Sequence, residues 1–218
     1  MPVLRQEQIL QEARELYQAE KTKRVLRPFT EKYSGITPED SYRIQLALIE
    51  MKKADGAKVV GKKIGLTSKA MQRMLNVDQP DYGHILDNMV LQDAAAFRID
   101  ELIQPKIEPE IAFILDRELK GPGITPMQVL AATRFVVPAL EIIDSRIEGW
   151  KIKLCDIIAD NASSARIVLG NSARRVDDLD LKLVGMVLER NGEIVQTGAG
   201  GAVLGHPAVA VAWLANAI

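Results

Sequence analysis

The sequence is poor in the residues that build soft metal sites and disulfides. Its 218 residues include one cysteine, Cys155, and two histidines. A single cysteine excludes an intrachain disulfide framework and is compatible with a reducing cytoplasm. A zinc site made of histidine and cysteine is nearly excluded as well. Any metal site would therefore be built from carboxylates, whose oxygens favour Mg²⁺, Mn²⁺ or Ca²⁺.

The chain also lacks an excess of charge of one sign and long apolar runs. Its formal net charge is -1, which argues against a nucleic-acid binder held by a broad basic face. No apolar run approaches the ~20 residues that cross a bilayer. The first residues, MPVLRQEQIL, are too charged for the core of a secretory signal. We therefore expect a cytoplasmic globular protein that binds neither nucleic acid nor membrane.

The chain changes character near residue 56. Helical spacing in residues 3–20 predicts a first helix, and Thr37 followed by Pro38 predicts the start of a second. From residue 57 onward strands prevail, with a hairpin turn at Asn191-Gly192 and a terminal helix beginning near Pro207. The sequence thus predicts an α+β fold with an N-terminal helical part (1–56) and a strand-rich part (57–218).

Three glutamates interrupt aliphatic strands. In QPKIEPEIAFIL, Glu108 and Glu110 project from the same face as Lys106, because side chains two residues apart in a strand do so. Glu141 interrupts VVPALEIID in the same way. Three carboxylates from two strands could form one face of an octahedral metal site. The alternative is a solvated polar sheet face on which Glu108 or Glu110 pairs with Lys106.

Two further segments carry candidate chemistry. In GKKIGLTSK, only one of Lys62 and Lys63 can point inward, where it could shuttle protons to a bound substrate. The alternative is a pair of surface lysines. The segment DNASS, residues 160–164, offers amide and hydroxyl donors, although ordinary turn chemistry would also explain it. Cys155 is interpreted as a packing residue and His206 as a helix cap or core residue.

Four segments together resemble a known family. GKKIGLTSKAMQRMLNVDQPDYG, IQPKIEPEIAFIL, VVPALEIIDSRIEGWKIKLCDIIADNASS and GAGGAVLGHP are similar, in order and spacing, to the 2-keto-4-pentenoate hydratase and 4-oxalocrotonate decarboxylase family. That family lies within the fumarylacetoacetate hydrolase superfamily. The resemblance implies a mixed, bent β-sheet roll with N-terminal and peripheral helices. Relatives usually continue beyond the equivalent of Ile218, so we expect their usual C-terminal strands to be missing here.

The resemblance also implies site residues and a cofactor. The metal ligands would be Glu108, Glu110 and Glu141, holding Mg²⁺ or Mn²⁺. The catalytic residues would be Lys63, which matches the active-site lysine, and Asp81, which matches an acidic residue of the pocket. Substrate contacts are expected at Ser163 and Gly65.

The implied reaction is that of a hydro-lyase in the catabolism of aromatic compounds. It hydrates 2-hydroxypenta-2,4-dienoate, the enol of 2-oxopent-4-enoate, to 4-hydroxy-2-oxopentanoate. The alternative is decarboxylation of 4-oxalocrotonate (2-oxo-3-hexenedioate). Another 2-oxo-acid reaction and a non-enzymatic subunit that keeps the fold also stay open. The resemblance further implies a homo-oligomer and a possible complex between hydratase and decarboxylase.

Overall fold

A computed structural model describes residues 2–218 of the protein. Its seven α-helices are α1 (Gln6–Thr22), α2 (Phe29–Lys32), α3 (Pro38–Ala54), α4 (Lys69–Met74), α5 (Pro126–Ala132), α6 (Leu154–Ala159) and α7 (Pro207–Ala217). Its eight strands are β1 (Val59–Gly65), β2 (Asp81–Leu86), β3 (Val90–Gln92), β4 (Pro105–Leu115), β5 (Thr133–Asp144), β6 (Ser164–Leu169), β7 (Gly185–Arg190) and β8 (Glu193–Ala199). The predicted α+β class is confirmed.

Local sequence signals explain where helices α3 and α7 begin. The hydroxyl of Thr37 accepts a hydrogen bond from the backbone N–H of Asp40, so Thr37 caps α3, and Pro38 occupies the first helical position. The ring of His206 accepts from the N–H of Ala208 and caps α7. Both caps agree with the sequence prediction.

The strands form three sheets among the described residues. Strands β1 and β2 form an antiparallel pair, β7 and β8 form another, and the order β3-β6-β5-β4 makes a four-stranded sheet. Asn191 and Gly192 connect β7 to β8 as predicted. Strand β2 begins directly after Pro80, and its first residue, Asp81, pairs with Gly65.

The register of β1 and β2 decides which side chains share a face. Lys63 pairs with Gly83, and Gly65 pairs with Asp81. Since side chains alternate along a strand, Lys63 and Asp81 project from one face of this pair. Lys62 and His84, which also pair, project from the other face.

The chain folds into two compact units. The first comprises residues up to Gly65, Asp81–Glu108 and Glu141–Val168. Its main core joins Leu4, Ile147 and Ala159 to helical residues of α1, α2 and α3: Ile9, Ala13, Leu16, Phe29, Ile44 and Leu48. The division after residue 56 stays a prediction.

The second unit comprises Leu66–Pro80, Pro109–Leu140 and Leu169–Ile218. Its core lies where α5 packs on α7, with Val129, Ala208 and Ala212 buried. Across both units, residues 2–218 include no helix that is long and apolar enough to span a bilayer.

Candidate metal and active site

Strands β4 and β5 bring the three predicted glutamates together. Glu108, Glu110 and Glu141 each offer a carboxylate oxygen, and these oxygens lie within 4.8 Å of one another. Glu141 is 1% exposed, and its Oε1 has no hydrogen-bond partner among residues 2–218. Burying a carboxylate oxygen without a partner costs free energy, unless a cation or a hydrogen-bond donor contacts it. The arrangement fits a hard divalent cation with oxygen ligands.

Lys63 lies directly against this carboxylate group. Its side chain is buried, and its Nζ lies 3.3 Å from Oε2 of Glu141. The same ammonium donates a hydrogen bond of 3.1 Å to the carbonyl oxygen of Ala162. Lys63 is therefore held at two points, with its proton-bearing nitrogen beside the candidate ligands.

Asp81 is completely buried on the same face of the β1–β2 pair as Lys63. Burial raises the pKa of its carboxyl to about 6; the ammonium of Lys63 opposes this shift, whereas Glu141 and Glu108 reinforce it. Gly65 makes room for this carboxylate, because a Cβ at Gly65 would overlap Oδ1 of Asp81. Burial also raises the pKa of Glu108.

The fourth part of the site is a turn that we call the left-handed turn, Asn161–Ser163. The backbone φ angles of its three residues are 54°, 50° and 55°. This left-handed region is one that residues other than glycine rarely adopt. All three are buried. Ala162 supplies the carbonyl that holds Lys63, and the hydroxyl of the adjacent Ser163 has no hydrogen-bond partner among the described residues.

The sequence analysis missed the buried ion pair that supports this turn. The backbone N–H of Arg146 and its Nε both donate to the carboxylate of Asp160. Its guanidinium also donates to the carbonyl oxygens of Asp144, Asp160 and Ser164. The same side chain thus ties the residues that flank the left-handed turn. The available signal was an arginine two residues after the end of the mainly aliphatic strand β5.

A second group that the sequence analysis missed lies on the opposite face of β1 and β2. Nζ of Lys62 lies 2.6 Å from Nε2 of His84, and Nδ1 of His84 lies 2.9 Å from Oε1 of Gln45. Burial, reinforced by the charge of Lys62, lowers the pKa of His84 to about 4. These contacts fit a neutral imidazole that donates to Gln45 and accepts from Lys62.

No family model matches the sequence. Individual relatives do. The chain is 50% identical over 205 residues to a 2-hydroxypent-2,4-dienoate hydratase from Pseudomonas putida, covering 94% of this chain and 92% of that protein. It is 45% identical to a 4-oxalocrotonate decarboxylase from Pseudomonas sp. (strain CF600), covering 98% of this chain and 81% of the relative.

The chain belongs to the 2-keto-4-pentenoate hydratase and 4-oxalocrotonate decarboxylase family. A solved structure agrees with this assignment. The 4-oxalocrotonate decarboxylase from Pseudomonas putida G7, complexed with magnesium and adipate, has a TM-score of 0.96 at 39% identity and covers 100% of this chain and 82% of its own.

A more distant structure shows the superfamily fold alone. A fumarylpyruvate hydrolase from Pseudomonas aeruginosa, in complex with Mn²⁺ and pyruvate, has a TM-score of 0.56 at 13% identity and covers 72% of this chain and 71% of its own. The predicted family and the fumarylacetoacetate hydrolase-like fold are therefore confirmed.

Proposed function

We propose that this protein is a metal-dependent hydro-lyase that hydrates 2-hydroxypenta-2,4-dienoate to 4-hydroxy-2-oxopentanoate in the catabolism of aromatic compounds. The observation that carries the proposal is the contact between Lys63 and Glu141 within the group of three carboxylates. It places a proton-carrying nitrogen beside a candidate metal ligand. The 50% identity to a hydratase over nearly the whole of both proteins supports the choice of reaction.

The cofactor is a divalent metal ion, Mg²⁺ or Mn²⁺, for which Glu108, Glu110 and Glu141 are the proposed ligands. Solved relatives are complexed with magnesium or calcium, and the distant hydrolase with Mn²⁺. When bound, such an ion supplies Lewis acidity to the carboxylate and C2 oxygens of a 2-oxo acid. The partnerless Oε1 of Glu141 is the chain's own sign that this group is completed by a cation.

Lys63 is the proposed proton-transfer residue. In the reaction the C2 enol hydroxyl loses its proton and C5 gains one, after which water adds its hydroxyl to C4 and its proton to C3. A side chain that moves such protons must lie within hydrogen-bond reach of the substrate. Glu141 and the Ala162 carbonyl fix the Lys63 ammonium for this task.

Asp81, Ser163 and Gly65 complete the proposed site. Asp81 has a raised pKa and lies on the same strand face as Lys63, so it can act as a second acid–base group. The partnerless hydroxyl of Ser163 is available for a polar contact with substrate. Gly65 leaves the space that the Asp81 carboxylate occupies, and its own contact with substrate is a proposal from the resemblance.

A second candidate is decarboxylation of 4-oxalocrotonate. The 45% identical relative and the structure with a TM-score of 0.96 are both decarboxylases. The same three carboxylates would hold the ion for this reaction, because decarboxylation of a 2-oxo acid would use the same Lewis acidity. Substrate preference separates the two candidates.

We also propose a cytoplasmic homo-oligomer and a possible complex between this protein and the partner enzyme of the other activity. Several large apolar side chains of the β7–β8 hairpin are exposed: Val187, Ile194 and Val195. Association would remove these apolar side chains from water, which favours it. The hairpin is therefore the proposed contact region.

The test of the proposed function is a metal-resupply assay. Protein stripped of metal is given Mg²⁺ or Mn²⁺ and then either 2-hydroxypenta-2,4-dienoate or 2-oxohex-3-enedioate. We expect metal-dependent loss of dienol absorbance with the first substrate and no CO₂ from the second. Release of CO₂ from the second would establish the decarboxylase instead. Equal rates with and without metal would overturn the proposed site.

A further inference from the structure

The left-handed turn is tied to strand β2 by one side chain. The Nδ2 of Asn161 donates to the carbonyl oxygen of His84 at 2.9 Å, and Oδ1 of Asn161 accepts from the N–H of His84 at 2.7 Å. The side-chain amide thus bonds both backbone groups of one residue, as the backbone of a neighbouring strand would. Asn161 is 2% exposed, so water does not compete readily for these bonds.

The turn and β2 approach each other closely at Gly83. A Cβ at Gly83 would lie 2.5 Å from the backbone oxygen of Asn161 and 3.2 Å from the Cβ of Ala162. Only glycine allows this approach, which brings Asn161 into reach of the His84 backbone. Glycine at 83 and asparagine at 161 therefore act as a pair.

The backbone of the turn needs such a restraint. Asparagine is among the residues that tolerate a left-handed φ, whereas Ala162 and Ser163 adopt it against their preference. Strained residues of this kind persist when their surroundings hold them, and they concentrate at functional sites. Relaxation of Ala162 to an ordinary φ would turn its carbonyl away from the ammonium of Lys63.

We propose that Asn161 is a positioning residue, which holds the left-handed turn so that Ala162 fixes Lys63 and Ser163 faces the site. The proposal rests on the proposed function, because it assigns Lys63 to proton transfer. It requires no contact between Asn161 and substrate. Asn161 acts through the His84 backbone on one side and through Ala162 on the other.

The test compares two matched asparagine-to-glycine variants. Asn161→Gly keeps the freedom to adopt a left-handed φ and removes the amide. Asn76→Gly makes the same change at φ 52°, at an exposed position in the turn after α4. A third variant, Asn161→Asp, keeps the acceptor for the His84 N–H and removes the donor to its carbonyl. All three variants are assayed as the metal-loaded protein, at a temperature below the thermal unfolding midpoint of each variant.

The expected kinetic result is a loss of kcat without a loss of binding. In Asn161→Gly we expect kcat for the dienol to fall about 100-fold, as for a misplaced catalytic group. KM should change less than about threefold, since the substrate's metal-binding end is untouched. The Kd for Mn²⁺ should stay at the wild-type value, because the glutamates lie on β4 and β5. Asn76→Gly should match the wild type in kcat, KM and the Kd for Mn²⁺.

Amide hydrogen exchange supplies a readout that does not depend on the reaction. The His84 amide should exchange faster in Asn161→Gly and stay protected in Asn161→Asp, because only the former loses its acceptor. Unchanged protection of His84 in Asn161→Gly, or wild-type kcat in that variant once protection is lost, would overturn the proposal. If the wild type fails to hydrate the dienol with metal bound, the proposed function fails. Hydrogen exchange alone then decides whether Asn161 holds the turn.

Discussion

The neighbouring residues Lys62 and Lys63 of β1 project from opposite faces of the strand. Lys63 lies at the proposed active site, and Lys62 lies in a separate group of polar side chains. Lys63 faces the three glutamates, whereas Lys62 faces His84 and, beyond it, Gln45. The strand alternation that creates this difference is a property of the backbone alone. The ring of His84 must stay neutral to accept from the ammonium of Lys62.

The neutral state of His84 predicts a pH-dependent stability. Its folded pKa of about 4 lies below the usual 6.5, so the unfolded state binds more protons between these values. This contribution is complete above pH 6.5 and is lost as the pH falls through about 4. The charged groups that act on the ring are Lys62, Glu50 and Lys53. By pH 5 the wild type should lose about 2 kcal/mol relative to His84→Gln.

Urea unfolding at pH 7.5 and pH 5 measures this difference. Identical pH dependence in the wild type and His84→Gln would refute the assignment of this loss to His84.

At the scale of elements, helix α3 anchors the start of the chain. The buried carboxylate of Asp40 accepts from the backbone N–H groups of Val3 and Leu4 at 2.8 and 3.0 Å. It also accepts from the hydroxyl of Thr37, the cap of α3. Although burial opposes ionisation, these hydrogen bonds lower the pKa of Asp40 below its usual value. The same carboxylate therefore joins a helix cap to the segment before α1.

Replacement of Asp40 by asparagine should destabilise the protein by about 2 kcal/mol, because an amide places a donor against backbone donors. Chemical denaturation at neutral pH measures this loss. The matched control is Glu39→Gln, an exposed neighbour in the same helical turn. That change should cost no more than about 0.5 kcal/mol, the value of one charge at a helix start. Equal losses in both variants would contradict the anchoring role.

At the scale of the whole molecule, local patterns predict the helices and most strands, but not their assembly. The cap at Thr37, the hairpin at Asn191-Gly192 and the long strands β4 and β5 all follow from nearby residues. The start of β2 has the local pattern of a turn, because it follows Pro80. It is a strand because it pairs with β1, whose last residue, Gly65, lies outside that local pattern. The division into three sheets has the same cause.

The sequence likewise predicts only some residues of the candidate site. The glutamates were predictable because charged residues inside aliphatic strands break a local rule. The roles of Arg146, Asn161 and His84 were not, because each depends on contacts with residues distant in sequence. Asn161 stands within a segment that ordinary turn chemistry also explains, and only its bonds to the His84 backbone distinguish it.

Glu108, Glu110 and Glu141 are the proposed ligands of the catalytic divalent ion. The most direct measurement is a titration of metal-stripped protein with Mn²⁺, followed by electron paramagnetic resonance, for the wild type and Glu141→Gln. Glu118→Gln, which changes an exposed glutamate, is the control. We predict one tight site in the wild type and in the control, and affinity weakened by at least about 100-fold in Glu141→Gln. Wild-type affinity for Mn²⁺ in Glu141→Gln would contradict the assignment of Glu141 as a metal ligand.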